Sequence, residues 1–157
     1  MTTMMVQIAD RTWTMQAMHL ACAMARNTGS SVILLYLMPI KNPGLLGSEL
    51  GITPPTPAQY ADFDEYALIA EDYGVEIGLQ PMQYESLCEA LAQAVELLKP
   101  LALFARVPES IIPLWCRFQL WTLQRQLTAQ NCRLYTLDQP GRPEEESVPA
   151  VHVKAVR

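Results

Sequence analysis

Residues that commonly carry catalysis or bind metals are few and scattered in this sequence. There are two histidines, His19 and His152, and no spacing brings them together. A zinc site needs about four clustered ligands, and a catalytic triad needs a histidine beside a nucleophile. Each of the four cysteines lies in an apolar segment without a C-x-x-C pair, which favours buried thiols over metal or redox chemistry: Cys22, Cys88, Cys116 and Cys132. We therefore expect no metal.

The acidic residues also lack a catalytic arrangement. One run holds Asp62, Asp64 and Glu65, and a second comprises residues 144–146. Both are typical of solvated helix or linker surface. A receiver domain would need an acidic pair after strand one and an aspartate after strand three, yet residues 79–82 contain none. The sequence does not predict an enzyme.

Composition limits the partners. The chain has 157 residues, enough for one domain with a large core. Only 17% of the residues are charged, against about 25% in a typical soluble domain, so a partner is expected to cover part of the surface. The net charge of −5 argues against nucleic-acid binding. Residues 1–10 lack a basic leader, and no apolar run reaches about 20 residues, so we expect a cytoplasmic protein outside the membrane.

Strand-like and helical patterns alternate along the chain. Apolar runs predict five strands, at residues 4–9, 32–38, 75–79, 101–105 and 132–137. Helical spacing of apolar residues predicts four helices, from about 14 to 29, 56 to 73, 86 to 98 and 113 to 129. This alternation predicts a single α/β domain with a five-stranded, mainly parallel sheet and helices on both faces.

Helix caps and loops refine this pattern. Thr56 with Gln59, and Ser86 with Glu89, each match a capping box. The Gly/Pro-rich loop at residues 39–55 is long for a compact domain, which is typical of functional or mobile loops. Residues 1–138 form the predicted domain. Residues 139–157 are predicted as a linker and a short arm that adds a strand to a neighbouring sheet edge.

The segment TMQAMHLACAMARNTGSSVILLYLMP resembles the first helix and second strand of universal stress proteins. Their pattern is S-x-x-A-L-x-x-A, then L-A-x-x-x-G and L-x-L-L-x-V-x-P. The matching residues are Thr14, Ala17, Met18, Ala21, Met24, Ala25, Gly29, Leu34, Leu35 and Pro39. GVEI at residues 74–77 is similar to that family's entry into strand three. The resemblance implies a stress-response or regulatory role and the adenine nucleotide alpha hydrolase-like topology.

Many universal stress proteins bind ATP through G-x2-G-x9-G-[S/T] after strand four. In this sequence the glycine positions fall on Pro108, Ile111 and Trp121, with Thr122 at the hydroxyl position. Proline has no N–H to donate, and bulky side chains obstruct the close approach of backbone to phosphate. We therefore expect no cofactor, and no ATP site of the family type.

The resemblance places a residual nucleotide pocket at Asp10, Met38, Pro39, Arg106 and Thr122. Asp10 either contacts a ligand or caps the first helix. Arg106 either binds an anion at the strand end or is solvated. The alternative function is consequently a small-ligand sensor that keeps an AMP or ATP site with altered phosphate contacts.

The last helix and last strand suggest self-association. Cys116, Leu120, Leu123 and Leu127 share one helical face, which should lie on the sheet. Leu114, Phe118 and Trp121 lie nearly opposite, either packed inside the monomer or buried at an interface.

In universal stress proteins the fifth strand often pairs with its copy at the sheet edge. The resemblance therefore implies a homodimer, with a protein partner also possible for such a module. The interface would include Cys132, Leu134, Tyr135, Leu137, Val151 and Val153.

Overall fold

One sheet of six strands organises the chain in a computed structural model, which describes residues 2–40, 44, 52–106, 113–137 and 153–156. The strands are β1 (Thr3–Gln7), β2 (Ser31–Pro39), β3 (Ile77–Tyr84), β4 (Ala102–Phe104), β5 (Arg133–Leu137) and β6 (Val153–Val156). The helices are α1 (Arg11–Thr28), α2 (Pro57–Tyr73), α3 (Leu87–Leu98) and α4 (Pro113–Ala129).

The sheet has the order β3-β2-β1-β4-β5-β6. The first five strands are parallel, and β6 pairs with β5 in the antiparallel direction. The predicted α/β domain with five parallel strands and four helices is confirmed. The side of the sheet to which successive strands are added switches between β1 and β4. In parallel α/β sheets, the crevice in which ligands bind lies outside the carboxyl ends of the strands at such a switch point.

Apolar cores lie on both faces of the sheet. Side chains alternate along β1: Met4 and Val6 pack with α1 and α2, whereas Met5 packs with α3 and α4. This period of two is what a central strand covered on both faces requires. Leu123 and Leu127 carry the buried face of α4, as predicted.

Two element boundaries differ from the prediction by three residues or more. Helix α1 begins at Arg11 rather than near Thr14, because Asp10 caps it. Strand β3 runs from Ile77 to Tyr84, beyond the predicted end at residue 79, and includes Pro81. Proline is tolerated there because β3 is an edge strand of the described sheet, and an edge position needs no second hydrogen-bonding partner.

The helix ends test the predicted caps. The Thr56 hydroxyl accepts a hydrogen bond from Gln59 N, and the Gln59 side chain accepts one from Thr56 N, so this capping box is confirmed. Ser86 makes no side-chain capping bond, and the prediction for α3 was wrong. Helix α1 ends at Gly29, where φ is +63° and L residues are strained.

The outer face of α4 is exposed. The exposed fractions are 75% for Leu114, 57% for Phe118 and 54% for Trp121. These three side chains are therefore more than half exposed in the single chain, which favours the interface alternative over packing inside the monomer. The side chains of Trp115 and Cys116 lie outside the described residues.

Strand β5 is not an edge strand in this fold. Its outer side pairs with β6, in a register that matches Leu134 with Val156 and Leu137 with Val153. Four side chains of the predicted dimer interface are buried in the single chain: Cys132, Leu134, Tyr135 and Leu137. The expectation of an open β5 edge was wrong because the C-terminal arm occupies it. Val151 lies outside the described residues, as does most of the 39–55 loop.

Across the described ranges, none of the helices combines the length and apolarity needed to cross a bilayer.

Candidate functional site

The candidate site is the crevice at the carboxyl ends of the parallel strands. Asp10 follows β1, Pro39 ends β2 and Arg106 follows β4. Because β1 lies between β2 and β4, the topology brings these three positions together at the carboxyl ends of neighbouring strands. Three of the five predicted pocket residues therefore share this end of the sheet.

The Asp10 carboxylate has two partners, one in the first turn of α1 and one at the end of β4. One carboxylate oxygen, Oδ1, accepts a hydrogen bond from Trp13 N at 3.0 Å, which caps α1. The other, Oδ2, forms an ion pair with Nη1 of Arg106. Both side chains are partly exposed, so the pair faces solvent at the mouth of the crevice. The capping role considered for Asp10 is thus observed, together with a cation partner that the sequence analysis did not foresee.

Two buried polar residues support this pair and were not among the predicted site residues. Gln7 Oε1 accepts the backbone N–H of Arg106 at 3.0 Å, which fixes the end of β4 against β1. Thr14 is fully buried; its hydroxyl donates to Asp10 O at 2.9 Å and accepts from Ala9 N at 3.0 Å. The sequence signal that could have identified Gln7 is its position as a polar residue at the end of an apolar strand.

A surface network anchors the start of α1 to α2. Arg11 lies 3.2 Å (Nε) from Asp62 Oδ1 and also pairs with Glu65. Glu65 raises the pKa of Arg11 through a hydrogen bond and its charge. The run around Asp62 is a solvated helix surface, as predicted, and part of it orients the helix that Asp10 caps.

Only one of the two predicted pocket residues at the end of β2 is accessible to a ligand. Met38 is buried, and Pro39 is exposed beside Tyr84, its neighbour on β3. Ile40 N donates to Tyr84 O at 2.9 Å, so the backbone here is tied to the sheet edge. Met38 therefore contributes to packing, while Pro39 remains at the rim.

Thr122 is not brought to the crevice. It lies nine residues after the start of α4, which is about 14 Å along the helix. Its hydroxyl donates to Phe118 O at 3.0 Å within the helix. The backbone N–H groups of Trp121 and Thr122 lie in the helix interior, where such groups donate to the preceding turn. Pro108 and Ile111 lie outside the described residues.

Two thiols are buried in the cores and are remote from this chemistry. Burial raises the pKa of Cys22 to about 11 and that of Cys132 to about 12. At neutral pH both remain protonated, and a protonated thiol is a poor nucleophile and metal ligand. Among the described residues, no group of three or more His, Cys, Asp or Glu side chains is placed to hold a metal ion.

Solved structures resemble this chain over most of its length. A universal stress protein in complex with cAMP superposes with a TM-score of 0.55 at 16% identity, covering 80% of this chain and 90% of that one. A universal stress protein from Archaeoglobus fulgidus gives a TM-score of 0.54 at 11% identity, covering 87% and 93%. Another from that organism, in complex with dAMP, gives 0.51 at 13% identity, covering 87% and 97%.

This is the universal stress protein fold. The likeness in the sequence is faint: no family profile matches, and no curated protein matches significantly. In this chain Asp10 and Arg106 lie at the carboxyl ends of the parallel strands, where they neutralise each other. The chain also carries β6 on the outer side of β5.

Proposed function

We propose that this chain is a non-catalytic stress-response or regulatory module of the universal stress protein type, a cytoplasmic homodimer that does not bind ATP in the family manner. The observation that carries the proposal is the ion pair between Asp10 and Arg106 at the crevice. A ligand that used either group would first have to compete with the other, because each already has an opposite charge in contact. An anionic triphosphate would also meet the Asp10 carboxylate at the mouth.

The last helix supports the same conclusion. Phosphate sites of this type need backbone N–H groups that point at the ligand from a loop or a helix start. Here the last two motif positions, Trp121 and Thr122, lie inside α4. Helical hydrogen bonds occupy those N–H groups whatever side chain is present. The absence of the motif glycines and the position of Trp121 and Thr122 inside the helix thus both argue against a phosphate site of the family type.

Self-association is supported by composition and surface. Charged residues make up only 17% of the chain, and α4 exposes Leu114, Phe118 and Trp121 together. Exposed apolar clusters of this kind commonly mark interfaces. A non-catalytic role is supported by the chemistry at the crevice, where the carboxylate and the guanidinium are paired.

Calorimetric and thermal-shift titrations with Mg·ATP, ADP, AMP and cyclic AMP test the proposal. We expect no saturable ATP binding with Kd below about 100 μM, which corresponds to about 5.5 kcal/mol. The control is the Asp10→Asn variant, which keeps a capping side chain and removes the carboxylate charge. Saturable ATP binding by the unmodified protein below that concentration would overturn the proposal.

A second candidate is a sensor of an adenine nucleotide with a single phosphate, and the position of Arg106 favours it. A guanidinium at the crevice can bind a single phosphate without a glycine loop if Asp10 releases it. Two similar structures hold cAMP and dAMP. In the titrations this candidate requires AMP or cyclic AMP binding that Arg106→Ala abolishes and Arg11→Ala retains. Arg11 is the matched control, because it is an exposed arginine paired with carboxylates on α2.

A further inference from the structure

Four residues on the outer face of α4 form a continuous surface, which we call the α4 stripe: Leu114, Phe118, Trp121 and Arg125. Phe118 and Trp121 contact each other with ring centroids 6.2 Å apart. The Arg125 guanidinium lies over the Trp121 ring, 5.6 Å from its centroid. The stripe faces away from the sheet, because Leu123 and Leu127 occupy the opposite side of the helix.

The α4 stripe is comparable in area to the largest apolar patch of a typical monomer, and such a patch is often functional. Aromatic side chains carry about 150–250 Å² each, and more than half of each ring residue is exposed. With Leu114 at 75% exposed, the apolar surface is on the order of 300–400 Å² per copy. Two copies that buried it with their polar flanks would approach the roughly 1,000 Å² that a specific interface needs.

The spacing within the α4 stripe is symmetric. Successive members are separated by 4, 3 and 4 residues along the chain. Reversing the direction of the helix leaves this series of intervals unchanged. In an antiparallel pair about a two-fold axis centred between positions 119 and 120, Phe118 therefore faces Trp121 of the second copy. Leu114 similarly faces the aliphatic part of Arg125.

Charge opposes this arrangement only at its solvated flank. Helix α4 contains no Asp or Glu, and the two exposed Arg117 side chains would lie on that flank, about 8 Å apart along the helix axis. The two Arg125 side chains would lie at opposite ends of the seam, about 16 Å apart along the axis. That separation exceeds the Debye length of about 8 Å at physiological salt, so their repulsion is screened. Each Arg125 would retain its contact with the ring of Trp121.

One alternative surface for a second copy is already occupied. The outer side of β5, where copies of universal stress proteins often pair, is hydrogen-bonded to β6 of the same chain. We propose that a second copy of this chain docks through α4, with the α4 stripes antiparallel and Phe118 of each copy against Trp121 of the other. This inference rests on the homodimer in the proposed function and specifies its interface.

Sedimentation velocity over about 1–300 μM protein tests the interface. The unmodified chain should show a concentration-dependent dimer. Phe118→Glu and Trp121→Lys should each weaken dimerisation at least 10-fold, because either change buries an uncompensated charge. Leu68→Glu is the matched control: Leu68 is 60% exposed on α2, on the other face of the sheet, and its substitution should leave the dimer unchanged. Circular dichroism verifies that each variant is folded.

Mixing the two variants tests the register. In the proposed pairing, Glu at position 118 of one variant faces Lys at position 121 of the other. The second contact in that mixed dimer is the native pair of Trp121 and Phe118. An equimolar mixture of Phe118→Glu and Trp121→Lys should therefore dimerise at least 10-fold more tightly than either variant alone.

The outcomes separate this inference from the proposed function. A dimer that both variants leave intact would overturn the α4 interface and leave the homodimer standing. Variants that dissociate without rescue on mixing would overturn the antiparallel register. A chain that stays monomeric throughout the concentration range would overturn both the interface and the homodimer.

Discussion

Asp10 uses its two carboxylate oxygens for different purposes. Oδ1 satisfies a backbone N–H that the first turn of α1 would otherwise leave without a partner, and Oδ2 pairs with Arg106. The first interaction is local, and an uncharged asparagine could also make it. The second joins residues 96 positions apart and depends on charge. Substitutions can separate these two contributions to stability.

We predict that Asp10→Ala lowers the free energy of unfolding by about 1–2 kcal/mol, because it removes the helix cap. Asp10→Asn keeps the cap and should cost less than about 1 kcal/mol. Arg106→Ala breaks only a partly exposed ion pair and should cost about 0–1 kcal/mol. Urea unfolding of the three variants measures this. If Arg106→Ala cost as much as Asp10→Ala, the ion pair rather than the cap would dominate.

The buried thiols make stability depend on pH in the alkaline range. Burial raises the pKa of Cys22 to about 11 from an ordinary value of 9.0, and that of Cys132 to about 12. Above pH 9 the unfolded chain loses these protons while the folded chain retains them. The unfolded state therefore binds fewer protons, and stability must fall as pH rises. Burial raises the pKa of Tyr66 as well, which acts in the same direction.

We predict that the free energy of unfolding falls by roughly 1 kcal/mol per pH unit for each thiol between pH 9 and 11. Urea titrations at pH 9, 10 and 11 measure the slope. The Cys22→Ala/Cys132→Ala variant serves as the control and should show a flatter slope, with Tyr66 accounting for part of what remains. An equal slope in both proteins would mean that the thiols are not the groups responsible.

At the scale of elements, the helices show what local sequence can and cannot specify. Thr56 and Ser86 are each followed, three positions later, by a residue that fits a capping box. Only Thr56 forms the box. In α2, Pro57 occupies the first helical position and its fixed φ favours the helix start. Serine at position 86 has no such constraint, and its side chain makes no cap bond.

We predict that Thr56→Ala lowers the free energy of unfolding by about 1 kcal/mol, because the capping hydrogen bond from Gln59 N to the Thr56 hydroxyl is lost. Ser86→Ala should change it by less than about 0.5 kcal/mol. The two substitutions are matched in type and position, so chemical denaturation compares them directly. A loss of about 1 kcal/mol or more for Ser86→Ala would show that Ser86 caps α3 in solution.

The order and type of the strands and helices were predictable because apolar periodicity is a local signal. The end of β3 was missed because Pro81 argues against a strand unless that strand lies at an edge, and edge position is a property of the whole sheet. The candidate site divides in the same way. Asp10 and Arg106 could each be named from their positions after apolar runs, but their pairing needed the topology. Gln7 was missed because it accepts the backbone N–H of Arg106, which is remote in the sequence and is brought close only by the order of the strands.

For the molecule as a whole, the C-terminal arm changes how the sheet ends. Strand β6 pairs with β5 over four residues and satisfies backbone groups that would otherwise be open. An unpaired strand edge is a template for another chain. Of the two surfaces considered for self-association, the arm therefore covers the β5 edge and leaves the α4 stripe exposed.

We predict that removing residues 139–157 lowers the free energy of unfolding by about 1–3 kcal/mol, the net value of several backbone hydrogen bonds. The shortened chain should also self-associate through the uncovered β5 edge. Because that edge is distinct from α4, the added association should persist when Phe118→Glu is introduced. Light scattering after size-exclusion chromatography and urea unfolding measure both effects.

A substitution within β6 of the full chain provides the second arm of this experiment. The Lys154→Pro/Ala155→Pro variant removes two successive N–H groups, one of which faces β5 because the N–H direction alternates along a strand, and it should reproduce the effect of deletion. The Lys154→Thr/Ala155→Val variant is the matched control and keeps the strand. If the shortened chain and the double-proline variant retained the mass and stability of the full chain, β6 would not cover β5 in solution. The β5 edge would then again be available to a second copy, in competition with α4.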